Sequence, residues 1–253
     1  MPDSTPSAPA EHDKRSLIWL GIVVAYVIIV LAVDTLAVQR VQWPFPWSRL
    51  QWHLGTTFPG LRETPWGAFD LYKFVFWFLI PFAVSLPRME WRYLVGKWDR
   101  WDALLVGGLT VLGMAAMFLI PLVPALQATY RSLDHLTPEQ KWSYVQRIMV
   151  WNVSWLFGWE FLHRYVLLRA AQRAPLTGRW GFPAPKLTQY YWLLVPLSET
   201  VYHLQKPLVE AGGMLAFSLV LTLWCLVRKK WLVACLVHLI IEVELAVFMT
   251  LLG

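Results

Sequence analysis

The sequence predicts an all-α, polytopic transmembrane helical bundle of about seven spans with a cytoplasmic N-terminus, and three observations carry that prediction. Of 253 residues, 57% are apolar and only 15% charged, against about 25% charged in an ordinary globular chain. Seven apolar stretches approach the roughly 20 residues that an α-helix needs to cross a hydrocarbon core about 30 Å thick. Basic residues are shared unequally between the two sets of loops these stretches define, the asymmetry that orients membrane chains. The lipid bilayer is thus the first partner implied, and disordered, collagen-like and disulfide-stapled classes are excluded. The 22 Lys and Arg against 16 Asp and Glu are accounted for by loops, so no nucleic-acid partner is expected.

Residues 1–15 (MPDSTPSAPAEHDKR) are polar and proline-rich and read as a disordered cytoplasmic tail. The apolar run after them is too long, and lacks the small-residue cleavage site, for a secretory signal. Candidate spans follow at 17–38, 67–86, 103–125, 147–169, 188–205, 208–227 and 231–252. The fifth is the shortest. Lys206-Pro207 separates it from the sixth by so little chain that the two form a helical hairpin. Residues 16–146 are an N-terminal set of helices and loops, and 147–253 a C-terminal set. One face collects twelve basic residues: Lys14, Arg15, Arg88, Arg92, Lys97, Arg100, Arg173, Arg179, Lys186, Arg228, Lys229 and Lys230. The other has six: Arg40, Arg49, Arg62, Arg131, Lys141 and Lys206. The first face is therefore expected in the cytoplasm. Tryptophans such as Trp66, Trp91, Trp98, Trp101 and Trp142 fall at span ends, where amphipathic rings anchor at headgroups. Cys225 and Cys235 lie within apolar runs and read as packing residues.

Charge inside hydrocarbon costs about 2.5–3.5 kcal/mol per residue even on insertion scales, so it persists where it is paired, wetted or used. The C-terminal set carries it repeatedly. In GWEFLHRYVLLR, Glu160 and Arg164 share a helix face with His163 beside them. In PLSETVYHLQKP, Glu199 and His203 repeat the four-residue spacing. In LVHLIIEVEL, His238 and Glu242 do so again, with Glu244 on another face. Three ionisable pairs on three helices are expected to converge on one polar cavity. In the N-terminal set, Asp34, Asp70 and Lys73 lie near span ends, within reach of the interface, and need no special role. Asn152-Val-Ser154 matches a glycosylation sequon but sits in an apolar span and is discounted.

Such a cavity suits hydrolysis. A carboxylate in a desolvated pocket, Glu160, has raised proton affinity and can act as general base on water. His203 can hold the same water or protonate a leaving amine. His238 can donate to a developing oxyanion, and Arg164 is the counter-charge that orients Glu160. No cofactor is needed for this chemistry. The competing arrangement is zinc held by Glu160, His203 and His238 with a water in the open position; the spacing lacks an HExxH to favour it.

The order Glu160-x-x-x-Arg164, then His203, then His238-x-x-x-Glu242 resembles the CPBP (Abi/CAAX protease) family of intramembrane endopeptidases. More narrowly, Trp159-Glu160-Phe161-x-x-Arg164 and His203-x-x-Lys206-Pro207-x-x-Glu210 are similar to a bacterial subgroup with WEFxxR and HxxKPxxE. The match covers about 150–245. The resemblance implies a peptidase that hydrolyses a peptide bond of a membrane-associated or C-terminally processed substrate, in a bacterial inner membrane. It assigns Glu160 and His203 to water activation and His238 with Glu242 to the oxyanion. Arg164, His163, Glu199, Lys206 and Glu210 are supporting residues. Three positions depart from the family pattern. Trp159 stands where a first glutamate is usual, Tyr165 replaces a glycine after the arginine, and Glu242 replaces an amide. Two other classes use the same residues: a catalytically inactive scaffold or immunity-type protein that binds a partner peptide, and a proton-coupled transporter. The absence of an internal repeat argues against the transporter.

Overall fold

The computed structural model describes residues 8–38, 52–130, 133, 135–174 and 190–251. Arg40, Arg49, Arg131, Arg179 and Lys186, the start of the fifth expected span and residue 252 lie outside them. Among the described residues there is no strand, only an isolated bridge between His53 and Asp70. Seven helical rods follow the seven apolar stretches. Helix α1 is Ala8–Val38. Helix α2 joins Leu71–Lys73, Phe74–Leu79 and Ile80–Ser85, and α3 is Arg100–Met117. Helix α4 joins Pro138–Glu160, Phe161–Leu167 and Leu168–Arg173. Then come α5, Leu194–His203, α6, Leu208–Arg228, and α7, Trp231–Leu251.

One expectation changes. The first helix starts at Ala8, so the second half of the 1–15 segment is helical backbone rather than a disordered tail; residues 1–7 are not described. Among the described residues, five segments are long and apolar enough to cross a bilayer by length and composition: Lys14–Ala37, Leu71–Arg88, Arg100–Leu122, Leu208–Arg228 and Trp231–Thr250. Helix α4 fails on composition because it carries Arg147, Glu160, Arg164 and Arg169. Helix α5 fails on length, since ten residues rise about 15 Å, half the thickness of the core.

Local chemistry sets the ends. Asp99 caps α3, accepting from the backbone of Trp101 and Asp102, and Thr137 with Gln140 makes a capping box at the start of α4, each satisfying orphan donors of the first turn. The turn between α6 and α7 passes through Lys229 at φ 54°, closing α6 with a left-handed residue. The ion pairs of Arg228 and Lys230 with Asp99 and Asp102 tie this turn to the start of α3. Trp66, Trp91, Trp98, Trp101 and Trp142 are exposed, as an interfacial belt requires.

Helix α4 is the central post. It packs on α2 and α7, while α5 and α6 form the expected hairpin and α3 lies on α7. Leu156, Leu162, Leu168, Val195, Leu221 and Val233 are wholly buried around it, and so is Cys225. Gly158 sets how close α4 and α2 come. A Cβ there would meet the Trp77 Cβ at 2.9 Å and the Phe78 backbone nitrogen at 3.1 Å. Because the obstruction includes backbone, Gly158→Ala should cost about 1–3 kcal/mol, read as a lower unfolding midpoint in detergent; an unchanged midpoint would mean the helices part freely.

Both α2 and α4 contain a π-turn, at Phe74–Leu79 and Phe161–Leu167. At the end of the first, Ile80 N–H bonds to Val75 O and skips Phe76; Tyr26 of α1 donates its hydroxyl to that released carbonyl at 2.6 Å. At the end of the second, Leu168 N–H bonds to His163 O and skips Arg164; the Tyr93 hydroxyl donates to Arg164 O at 2.9 Å. Each carbonyl that the wider turn releases is thus satisfied from another element, as burial demands.

Tyr165, which stands where the resembled family has a glycine, is well packed. It stacks on Phe161 with centroids 4.8 Å apart, and its hydroxyl accepts from the Glu90 backbone N–H at 2.8 Å. The Glu90 carboxylate pairs with Arg169 and Arg173. Hydrogen bonding from Arg169, then Arg173, holds its carboxyl below the ordinary range. A depressed carboxyl stabilises the fold above its unfolded pKa, and that contribution is lost as pH falls through the lower folded value. Thermal melts from pH 7 downward should therefore show an acid-side loss in the parent that is smaller in Glu90→Gln; identical profiles would remove Glu90 from the balance.

Candidate active site

The post delivers Glu160 and Arg164 from one face of α4, and both are completely buried. Arg164 is the hub. Its Nη1 donates to Glu160 Oε2 at 2.7 Å and to Glu199 Oε1 at 2.9 Å. Its Nη2 donates to Glu199 Oε2 at 2.8 Å and to Ser218 Oγ at 3.3 Å. The two-pronged bond to Glu199 uses the fork of the guanidinium, which lysine lacks. The other oxygen of Glu160 lies 2.6 Å from Nδ1 of His238 on α7. Helices α4, α5, α6 and α7 therefore meet in one ionic cluster: Glu160, Arg164, Glu199, Ser218 and His238.

The imidazoles are held alike. Because Glu160 is an acceptor, His238 presents Nδ1–H to it, which leaves Nε2 as the basic nitrogen of the neutral ring. That Nε2 faces Glu242 Oε1 at 3.9 Å, and Trp155 and Phe217 fix the ring by edge contacts at 5.5 and 5.6 Å. His203 donates Nδ1–H to its own helix, at Glu199 O, 2.8 Å away, so its Nε2 is basic too. His163 donates to Trp159 O at 2.9 Å, with Glu199 3.7 Å from the same nitrogen.

Two expected pairings are redrawn. Glu199 and His203 do not pair through side chains, because the buried Arg164 claims the Glu199 carboxylate. Glu160 is bonded to His238 rather than His203. His203 instead meets the neighbouring Trp159 ring at 5.7 Å. Adjacent positions on α4 thus divide the two histidines, Trp159 taking one and Glu160 the other. Trp159 is 1% exposed, packed also on Trp77 and Tyr202. Lys206 and Glu210 bond at 2.6 Å across the α5–α6 turn as their spacing implies. Beside them lies Tyr130, whose phenol is pushed up by burial and by the Glu210 carboxylate.

Sequence reasoning missed three groups. Asn152, discounted as a sequon, is fully buried on α4 beside Glu242, with its amide directed at that carboxylate. Ser218, in an apolar run, carries no sequence signal. Asp34, Asp70 and Lys73, expected to reach the interface, are each under 8% exposed. Lys73 Nζ is 3.6 Å from Asp34 and 3.9 Å from Asp70, and the Tyr202 hydroxyl donates to Asp34 at 2.5 Å. Their pairing was the readable clue, since α1 and α2 each place a charge at a span end.

Among the described residues no three histidine, cysteine or carboxylate groups are arranged to hold a metal ion. The Glu160, His203 and His238 set is not gathered as a zinc cage, so no step is routed through metal. No protein-family model, curated protein or solved structure matches the chain.

Proposed function

We propose that the chain is an intramembrane endopeptidase of the glutamate-dependent CPBP type, hydrolysing a peptide bond of a membrane-associated or C-terminally processed substrate. One observation carries this: a fully buried carboxylate, Glu160, anchored by Arg164 on one oxygen and 2.6 Å from His238 on the other. Since both Glu160 oxygens are engaged, the base that meets water is the far nitrogen of His238. Water approaching Nε2 gives its proton to the ring as its oxygen attacks the substrate carbonyl, and Glu160 holds the imidazolium that forms. The His238 imidazolium then returns that proton to the leaving amine as the C–N bond breaks, His203 offers its unprotonated Nε2 as an acceptor for the water, and Asn152 offers an acceptor and a donor to a peptide group. The scheme needs no metal.

In this reading α4 also crosses the membrane, shielded from lipid by the other helices. In the same reading the whole 188–205 stretch, of which α5 is the last part, completes seven spans, the N-terminus is cytoplasmic and the membrane a bacterial inner one. The test is an assay in lipid vesicles against membrane-anchored peptides, with Glu160→Gln as control and cleavage mapped by mass spectrometry. Cleavage that continues unchanged in that variant sinks the proposal.

A second reading, a non-catalytic scaffold or immunity-type protein that holds a partner peptide, is favoured by the completeness of the Glu160 pairing and by Trp159 beside His203. It is distinguished by partner binding that survives Glu160→Gln while no peptide is cut by the parent.

A further inference from the structure

Glu244 belongs to none of these networks. It lies on α7, six residues past His238 and on a different face. Both of its carboxylate oxygens are buried without a hydrogen-bond partner. One oxygen would collide with a Cβ on Gly113 of α3, so the carboxylate rests on the bare backbone of that residue. Burial is the sole influence upon it, with no charged group among the described residues acting on it.

Around Glu244 runs a groove of about 300 Å³ between α3 and α7, walled by Met114, Met117, Phe118, Val243 and Val247. Its α3 wall continues beyond the cavity. Gly107, Val111, Met114 and Phe118 fall on one helical face by their spacing, and Val111, Met114 and Phe118 are more than half exposed. A Cβ on Gly107 would meet nothing within 4 Å. Beside the groove the surface is therefore an exposed apolar helix face about 16 Å long, ending in small residues of the kind that let helices approach closely in membranes. Its single polar feature is an unpaired acid.

We propose that this groove seats a transmembrane helix of a partner protein, which brings a lysine or arginine to Glu244. A groove continued by an apolar helix face with small residues matches a helix, and an unpaired carboxylate at this depth calls for a cation, because intramembrane charges persist when paired. The site does not rest on the hydrolase reading. It uses no residue of the Glu160 cluster.

The experiment uses the full chain in lipid vesicles and a dye-labelled, leucine-rich transmembrane peptide of about 23 residues, carrying one lysine at the depth of Glu244 or leucine in its place. Association is read by energy transfer. The lysine peptide should bind about tenfold tighter than the leucine peptide. Glu244→Gln, nearly isosteric and free of charge, should abolish that preference, and Met114→Trp, which fills the groove, should weaken both peptides. Equal binding of the two peptides, or a preference that survives Glu244→Gln, overturns the proposal. So does disulfide cross-linking of Met114→Cys to a second copy of the chain in the absence of peptide, which would make the face a self-association surface.

Discussion

Arg164→Leu should lower stability by about 3–5 kcal/mol, the range for removing one partner of a buried ion pair. The expected loss is large because this guanidinium serves two carboxylates, Glu160 and Glu199, both without solvent exposure. Deleting it leaves like charges on neighbouring helices with no cation between them, and strips Ser218 of its donor. The cost should be partly reversible. Adding Glu199→Leu to Arg164→Leu replaces the two-pronged pair by apolar packing, which buried pairs tolerate when both partners go. Unfolding in detergent, followed by circular dichroism, should rank the parent first, the double variant second and Arg164→Leu last. A single variant as stable as the parent would show that the cluster contributes nothing to the fold.

Glu160→Gln should behave in the opposite way, with the fold retained and turnover falling by about 10²–10⁴-fold, the usual worth of a positioned acid–base group. Arg164 keeps a balanced one-to-one pair with Glu199 after that change, so the core loses a charge without stranding one. What it loses is the anion behind His238: glutamine can still accept from Nδ1–H but does not stabilise the imidazolium. His238→Asn should cost as much, and the two together little more, since groups that act as a unit are not additive. Turnover of a cleaved peptide checks all three variants. Full activity in Glu160→Gln would take the pair out of the chemistry.

Much of the architecture was legible because hydrophobicity is. Each apolar stretch holds a helical rod among the described residues, and residues spaced by four, Glu160 with Arg164 on one helix and Lys206 with Glu210 across a turn, made the bonds their spacing implies. The same rule failed for Glu199 and His203. Spacing says which groups are neighbours, whereas an arginine from another helix decides which of them it takes. The link from Glu160 to His238 joins residues 78 positions apart, and nothing local encodes such a contact. Asn152 was hidden by a motif that fits a surface loop, and the burial of Asp34, Asp70 and Lys73 by the assumption that a charge near a span end reaches water. The π-turns have no signature in a hydropathy pattern at all.

That last feature constrains how this chain can change in length. A wider turn holds one residue more than a regular helix needs, so losing any one residue between Phe161 and Leu167 would leave an unbroken α4. The turns downstream would keep their facing, because the bulge had absorbed the extra residue locally, and Arg169 and Arg173 would still reach Glu90. The Arg164 carbonyl would regain a partner within its own helix, and Tyr93 would be left holding nothing. Point substitutions in this stretch are absorbed side chain by side chain, while a single-codon deletion would exchange the tie from Tyr93 for a regular helical bond.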